Sequence, residues 1–312
     1  MTTVITYEDA KANQVTKIRR VNEKDVGTLQ TPFLGSRENP DLPFACLEVF
    51  SPRRCSSPHF HDVDQFQIMI AGKGKMGRHD IAVNSVHFSR SYTPYGPLIA
   101  DAETGLTCMI IRPRPGTRAQ HSREAIANLR QIPDRHPWQI TRDINFPLIG
   151  SSSVVLQPVS EIQDENGLAT YTLSMNPNSS AFTPDPSRGN GLFVVVLKGS
   201  LLHDNKEANA LTLVYVSPKE TKFEICAGSG GLEGLIVQFA RAQPQLASGV
   251  KEAERQPRSK AWQCLLCSFV YDEAAGLPAE GIAPGTRWED LPASWTCPDC
   301  AAEKHDFDQV VR

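Results

Sequence analysis

The sequence predicts an almost all-β chain in which two barrels in tandem precede a small metal-binding domain. Three observations indicate this fold class. Short β-prone runs separated by Gly, Pro, Asn and Asp fill residues 45–239, and such spacing is typical of barrels and sandwiches. Two of the runs, QFQIMIAG at 65–72 and LFVVVLKG at 192–199, resemble each other. Two Cys-x-x-Cys pairs lie within residues 264–300.

The strand predictions follow from apolar runs bounded by turn residues. They are 45–50, 64–70, 107–112, 169–175, 191–197, 210–216 and 232–239. Residues 83–88 and 211–216 form a second pair of similar runs, as a duplicated barrel requires.

Only residues 117–130 have helical periodicity, with Ala, Ile and Leu on one face. The stretch between the second barrel and the first Cys-x-x-Cys pair has almost no apolar residues, which indicates a tether. The predicted divisions are a metal-binding barrel at 1–115, a helical connector at 116–140, a second barrel at 141–241, a linker at 242–259 and a small domain at 260–312.

Composition excludes several function classes. The 312 residues carry a formal charge of −3, with 40% hydrophobic and 21% charged residues, which is the profile of a globular protein without a nucleic-acid-binding patch. No apolar run is long enough for a membrane span, and the N-terminus lacks the pattern of a signal peptide. Four scattered cysteines, Cys46, Cys55, Cys108 and Cys226, fit reduced thiols, so we expect a cytoplasmic protein.

The C-terminal cysteines are spaced as metal ligands. Four thiolates on two knuckles make a tetrahedral cage that selects iron or zinc. The predicted ligands are Cys264, Cys267, Cys297 and Cys300. Five aromatic side chains are predicted to form a small core around them, namely Trp262, Tyr271, Trp288, Trp295 and Phe307.

This stretch, from about Lys260 to Val311, resembles rubredoxin, a carrier of single electrons. The resemblance implies one Fe(Cys)4 centre and a flavoprotein rubredoxin reductase as a partner; the alternative is a structural zinc ribbon. Ser268 and Ala301 stand where rubredoxins usually carry glycine after each knuckle. Side chains there change the hydrogen bonds and solvent access that set the potential of the iron.

A second candidate site lies at the start of the run 64–70. In an extended chain, residues two apart share a face, so His59, His61, Gln65 and Gln67 are predicted to point the same way. Two converging imidazoles are suitable ligands for a divalent metal, and the Gln65 amide oxygen adds a further ligand or tunes the site.

The pattern from His59 to Gly72 resembles the first cupin motif, H-x-H-x3-E-x6-G, with Gln65 in place of the usual glutamate. Together with the duplication it implies a bicupin-like protein over residues 40–240. The histidine of the second cupin motif falls on or beside Tyr95, which leaves the third ligand open among Tyr95, Gln65 and His87.

The resemblance implies a second metal, Fe(II), held by His59 and His61, with Gln65 and Tyr95 as catalytic residues. Predicted substrate-binding residues are Gln67, Arg90 and Tyr92. The second barrel has no histidine pair at the matching place, so we expect it to be structural.

An electron carrier joined to a two-histidine barrel favours a non-haem iron oxygenase or oxidase that acts on a small organic molecule, aromatic or acidic. The alternatives are a small-molecule-binding or redox-sensing module, or a metal-dependent isomerase, lyase or hydrolase. The chain also resembles bacterial 3-hydroxyanthranilate dioxygenases, which join a cupin to a rubredoxin-like iron site. Their motif uses histidine and glutamate ligands that this chain does not reproduce, so that activity is not favoured. Homodimers are common among bicupin-like proteins, so a homodimer is also expected.

Overall fold

The fold is described from a computed structural model of the chain. It covers residues 1–21, 24–36, 38–39, 42–117, 119–121, 128–132, 138–149, 152–241, 260–265, 269–298 and 302–311. The predicted linker, the knuckle residues Cys267 and Cys300, and Ser268 and Ala301 lie outside the described residues. Within the described residues, no helix is long and apolar enough to cross a membrane.

The chain starts with strand β1 (Thr2–Ile5) and the short helix α1 (Tyr7–Lys11). A capping box begins this helix, because the Thr6 hydroxyl accepts from the Asp9 N–H and the Asp9 carboxylate accepts from the Thr6 N–H.

Ten antiparallel strands form the first barrel, in the order β11-β8-β6-β10-β4-β3-β2 with β7, β9 and β5 attached along one side. They are β2 (Val15–Val21), β3 (Lys24–Leu34), β4 (Phe44–Phe50), β5 (Cys55–Ser56), β6 (Gln65–Met76), β7 (His79–Ala82), β8 (Ser85–Ser89), β9 (Leu98–Ala100), β10 (Leu106–Arg112) and β11 (Gln139–Asp143).

The second barrel has the order β1-β17-β15-β18-β13-β12, with β14 paired to β18 and β16 paired to β15. Its other strands are β12 (Val154–Gln163), β13 (Ala169–Met175), β14 (Ser180–Phe182), β15 (Leu192–His203), β16 (Lys206–Asn209), β17 (Leu213–Val216) and β18 (Glu224–Gln238). Its interior is filled by a cluster of buried Leu, Val, Ile, Met and Ala side chains.

Two strands pair with a barrel other than the one in which their sequence position would place them. Strand β1 pairs with β17 of the second barrel, and β11 pairs with β8 of the first. One apolar core also runs between the two sheets. Phe66 packs at a tilt against Phe88 and edge-on against Phe239, and Phe239 lies edge-on to Phe193. The two barrels therefore share a core.

The duplication is visible in two matching glycines with positive φ inside strands. The strands predicted to end at 70 and 197 instead continue through these glycines to Met76 and His203. Gly72 and Gly199 have φ of 75° and 71° at equivalent points of β6 and β15. A Cβ at either glycine would lie within 2.3 Å and 2.0 Å of the facing carbonyl oxygens of Gly105 and Gly231. Both glycines are therefore required by close backbone contact as well as by their positive φ.

The predicted helix at 117–130 is wrong at its start. The N–H and hydroxyl of Thr117 donate to Asp62 Oδ1, and Gln120 forms a β-bridge with Phe60. These tertiary hydrogen bonds hold the segment extended against the barrel. Residues 122–127 lie outside the described residues, and Asn128–Gln131 form a 3-10 helix.

The C-terminal domain has a three-stranded sheet in the order β20-β19-β21, from β19 (Lys260–Cys264), β20 (Val270–Asp272) and β21 (Phe307–Val311). Short 3-10 helices occur at Pro278–Glu280, Trp288–Asp290 and Lys304–Asp306, and one at Pro186–Arg188 in the second barrel. The predicted aromatic core is confirmed: Trp262 stacks on Trp288 at 4.9 Å, and Tyr271, Trp295 and Phe307 pack beside them.

Candidate functional site in the first barrel

His59 and His61 lie just before β6 and are held by the segment that contains Tyr95. The backbones of His59 and Tyr95 exchange two hydrogen bonds of 3.1 and 3.0 Å, and the Tyr92 N–H donates to the His61 carbonyl over 2.6 Å. Both imidazoles are buried. The pair therefore converges on the barrel interior although neither residue belongs to a strand.

The other polar side chains inside the barrel come from strands, in which every second residue points inward. Gln65 and Gln67 point inward from β6, where Gln67 faces His87 on β8 and Ile110 on β10. Arg112 ends β10 two residues beyond Ile110 and so shares its face. Gln65 and His87 have no exposed surface, and Gln67 is also buried.

Five side chains form one continuous hydrogen-bonded chain across the mouth of the barrel. His59 Nε2 lies 3.0 Å from the Tyr95 hydroxyl, and Gln65 Nε2 donates to that hydroxyl over 2.7 Å. Arg112 Nε donates to Gln65 Oε1 over 2.7 Å, and Arg112 Nη2 donates to His61 Nε2 over 3.2 Å.

The hydrogen-bond partners of His59 and His61 determine which ring nitrogen of each carries the proton. The Ser57 carbonyl can only accept, so His59 Nδ1 carries the proton across 2.8 Å and His59 Nε2 accepts from Tyr95. A guanidinium can only donate, so His61 Nε2 accepts from Arg112 and its proton is on Nδ1. Both imidazoles are therefore neutral and present Nε2 lone pairs to the same region.

Burial keeps the groups of the pocket neutral. Desolvation, followed by the positive charge of Arg112, lowers the pKa of His61 to about 2. Desolvation likewise lowers the pKa of His87 to about 3 and raises the pKa of Tyr95. The guanidinium of Arg112 is thus the charged member of the hydrogen-bonded chain.

Two buried polar atoms next to these five side chains have no hydrogen-bond partner in the structure: Gln67 Oε1 and His87 Nε2. The His87 ring is held by Thr141 at 3.0 Å and lies 5.0 Å from the Tyr95 ring. Unpaired polar atoms cost free energy when buried, so these atoms indicate that the pocket takes a polar ligand or water.

The donor set does not fit a divalent metal in this arrangement. Gln65 Oε1 and His61 Nε2 already accept from Arg112, and His59 Nε2 accepts from Tyr95. Among the residues that the structure describes, no three His, Cys, Asp or Glu side chains converge as ligands. A divalent ion about 4 Å from the guanidinium would be repelled by about 8 kcal/mol at an effective dielectric constant of about 20.

Two predicted substrate-binding residues lie away from the five hydrogen-bonded side chains of the pocket. Arg90 forms an ion pair of 2.8 Å with Asp164 of the second barrel and lies over the Trp138 ring. Tyr92 packs in a cluster with Phe60 at the outer surface of the histidine segment. Gln67 does face the pocket, as predicted from the alternation.

Two residues of the site were missed. Arg112 belongs to a predicted strand, and the alternation Cys108, Ile110, Arg112 would have placed it inside the barrel. His121 lies 4.7 Å from His59, ring to ring, and 3.0 Å from the Ser57 hydroxyl. It fell within the predicted helix, so its position beside His59 had no local signal.

The described half of the C-terminal metal centre fits iron. Cys264 and Cys297 are buried in the aromatic core. Each follows the same local pattern, in which the cysteine N–H donates to a carbonyl five residues on, that of Phe269 or Ala302. These two thiols are thus buried on one side of the small domain, as a tetrahedral thiolate site requires.

Comparison with solved structures agrees with the barrel architecture. A candidate dioxygenase from Nostoc punctiforme superimposes with a TM-score of 0.55 over 82% of this chain and 88% of that one, at 11% identity. A candidate glyoxylate-induced protein from Pseudomonas aeruginosa gives a TM-score of 0.50 over 80% and 91%, at 12% identity. At such identities the likeness concerns the fold, and the predicted all-β, cupin-like fold class is confirmed.

The sequence comparisons concern the C-terminal domain. The family model described as rubredoxin matches residues 261–307. Rubredoxin-2 of Pseudomonas aeruginosa is 61% identical over 51 residues, which are 16% of this chain and 93% of that protein. The rubredoxin of Acinetobacter baylyi is 57% identical over 51 residues and 94% of its length. The domain therefore implies an Fe(Cys)4 site and a redox function that involves iron, and through its C-terminal domain the chain belongs to the rubredoxin family.

Proposed function

We propose that the chain is a two-module redox protein in which the first barrel binds a small organic acid beside the rubredoxin electron carrier. The observation that carries this proposal is Arg112. Its guanidinium is partly buried in the pocket and makes no ion pair with any carboxylate of the described residues, since it donates to the neutral Gln65 and His61.

A partly buried cation without a counter-ion favours an anionic ligand. Glu48 and Asp62 act on the guanidinium only from beyond ion-pair distance. A carboxylate accepts from the guanidinium, and Gln67 Oε1 has no donor in the structure and can accept from a second polar group of the ligand. The pocket thus suits a small carboxylic acid that also carries a hydroxyl or amino group.

The rubredoxin domain determines the redox part of the function. Its iron, when bound to the four cysteines, exchanges single electrons. The chain's own contribution is to hold a substrate pocket on the same polypeptide, so that the electron carrier acts at a high effective concentration.

A second candidate is the iron-dependent oxygenase or oxidase predicted from the sequence. One observation favours it: His59 and His61 both present Nε2 lone pairs, the form in which histidine binds metal. In that case the guanidinium of Arg112 and the hydroxyl of Tyr95 would have to leave these two atoms.

Metal content separates the two candidates. Iron and the visible thiolate bands would be measured on full-length protein reconstituted with Fe(II), on His59→Ala/His61→Ala and on Cys264→Ser/Cys267→Ser. We expect one iron per chain, lost with the cysteines and unchanged without the histidines. A second iron that disappears with the histidine pair would overturn the organic-acid proposal in favour of the oxygenase.

Ligand binding tests the proposal directly. Thermal shift and calorimetry with a panel of small hydroxy and aromatic carboxylates should identify acids that stabilise the wild type. Arg112→Gln should lose this binding. Arg142→Gln, an exposed arginine of the same barrel paired with Glu161, is the matched control and should retain it. If no acid binds, or if Arg112→Gln binds as the wild type does, the proposal is wrong.

A further inference from the structure

The C-terminal domain contacts the first barrel at both described ends of its first cysteine knuckle. Leu265, which follows Cys264, is 3% exposed and packs in one cluster with Phe60 and Leu129. At the other end, the Arg78 guanidinium lies 5.0 Å from the centre of the Phe269 ring. Two contacts of different kinds thus hold the same knuckle.

The side chain of Leu265 is buried by the barrel. The aromatic core of its own domain contains Cys264 and Phe269 but not Leu265. Within its domain Leu265 is anchored by its backbone, whose N–H donates to the Asp306 carbonyl over 2.7 Å. An apolar side chain that leaves its own core and becomes buried elsewhere marks an interface.

Arg78 reaches Phe269 from the tight turn between β6 and β7, the turn that starts at Gly77 with φ of 58°. A cation over an aromatic face adds a directional contact to the apolar one. The two contacts fix both position and orientation of the knuckle.

The receiving surface is the outer side of the pocket. Phe60 lies between His59 and His61 in the chain, and its backbone bridges to Gln120 through hydrogen bonds of 3.2 and 3.0 Å. Tyr92, which packs against the same cluster, donates its N–H to the His61 carbonyl. The surface that receives the C-terminal domain and the pocket are therefore both formed by the segment from His59 to His61.

We infer that the rubredoxin domain docks in cis on the outer side of the histidine segment of the first barrel, with Leu265 and Phe269 as its contact residues and Phe60, Leu129, Tyr92, Ile132 and Arg78 as the receiving patch. The iron-binding knuckle and the pocket are then joined by one apolar cluster, since Leu265 is bonded to Cys264 and Phe60 is bonded to both pocket histidines. This docking does not depend on which ligand the pocket binds.

A receiving patch of only a few residues is enough for docking, because the C-terminal domain and the barrel belong to one polypeptide. Tethering replaces a bimolecular association by an intramolecular one, with an effective concentration of the order of mM for short linkers. The occupant of the patch is thus the chain's own C-terminal domain rather than a separate electron carrier.

Small-angle scattering and amide exchange of the full-length, iron-loaded protein test the docking. Leu265→Asp places a charge in the apolar cluster and should release the domain, which increases the radius of gyration and speeds exchange of the Phe60 and Gln120 amides. Leu202→Asp, at a half-exposed leucine of the second barrel, is the matched control and should change neither.

Because Leu265 is next to Cys264, its substitution could disturb the iron site, so a second variant is made on the barrel. Arg78→Glu alters only the barrel side, keeps the red thiolate spectrum, and should also speed exchange at the knuckle amide of Leu265. The inference is overturned if Leu265→Asp and Arg78→Glu, both with intact visible spectra, leave the radius of gyration and these exchange rates at the wild-type values.

Discussion

Arg112 donates its Nε–H to Gln65 Oε1 over 2.7 Å, so a neutral amide faces a guanidinium at the position where the cupin motif carries glutamate. A glutamate there would form an ion pair and leave the pocket without net charge. Glutamine keeps the hydrogen bond and adds no negative charge beside Arg112. The proposed binding of an organic acid depends on this exchange, because the guanidinium then has no carboxylate at position 65 to pair with.

Gln65→Glu should therefore weaken the binding of a carboxylate ligand at least tenfold, about 1.4 kcal/mol, because the new carboxylate competes for Arg112. Calorimetry at neutral pH measures the change. The control is Gln157→Glu, which adds the same charge at an exposed position of β12 in the second barrel. Unchanged affinity in Gln65→Glu would falsify the role given to Arg112.

Tyr95→Phe should lower the free energy of unfolding by about 1–3 kcal/mol. Its hydroxyl joins His59 Nε2 to Gln65 Nε2, and both buried atoms lose their partner without it. Urea titration gives the value, with Tyr171→Phe in the second barrel, a partly exposed tyrosine, as control. Equal stability of the two variants would mean that the hydrogen-bonded chain contributes nothing to the fold.

Buried histidines should make the protein sensitive to acid. The pKa of His87 falls from its ordinary value of 6.5 to about 3 in the folded state, so below pH 6.5 the unfolded chain binds the proton and the folded chain does not. Its contribution is fully present above pH 6.5. It is lost as the pH falls toward about 3, by about 1.4 kcal/mol per pH unit.

The measurement is the free energy of unfolding at pH 7 and pH 5. His87→Gln should reduce the pH slope without removing it, since the pKa of His61 is lowered in the same way. An identical slope in wild type and His87→Gln would contradict the prediction.

Gly72→Ala should destabilise the first barrel by about 2–4 kcal/mol. Gly72 has φ of 75°, and a Cβ would lie 2.3 Å from the Gly105 carbonyl oxygen. Gly230→Ala provides the control, because a Cβ there has nothing within 4 Å. Thermal unfolding of both variants measures the difference, and a Gly72→Ala protein as stable as Gly230→Ala would show that the backbone of β6 can relax at this position.

Much of the fold could be predicted because its signals are local. The strand predictions at 45–50, 107–112 and 169–175 match Phe44–Phe50, Leu106–Arg112 and Ala169–Met175, since apolar alternation and turn residues act within a few positions. The helix prediction failed at Thr117 and Gln120, where hydrogen bonds to Asp62 and Phe60 override the local periodicity. Such contacts have no signature in a window of neighbouring residues.

The candidate site divides in the same way. The sequence by itself determined the rubredoxin cysteines, the His59–His61 pair and the inward direction of Gln65 and Gln67, because spacing along a chain decides which side chains share a face. Only the tertiary structure decided that Arg112, distant in sequence, donates to Gln65 and His61. Which strands become neighbours is set by the packing of the whole barrel, and the charge of the pocket depends on that choice.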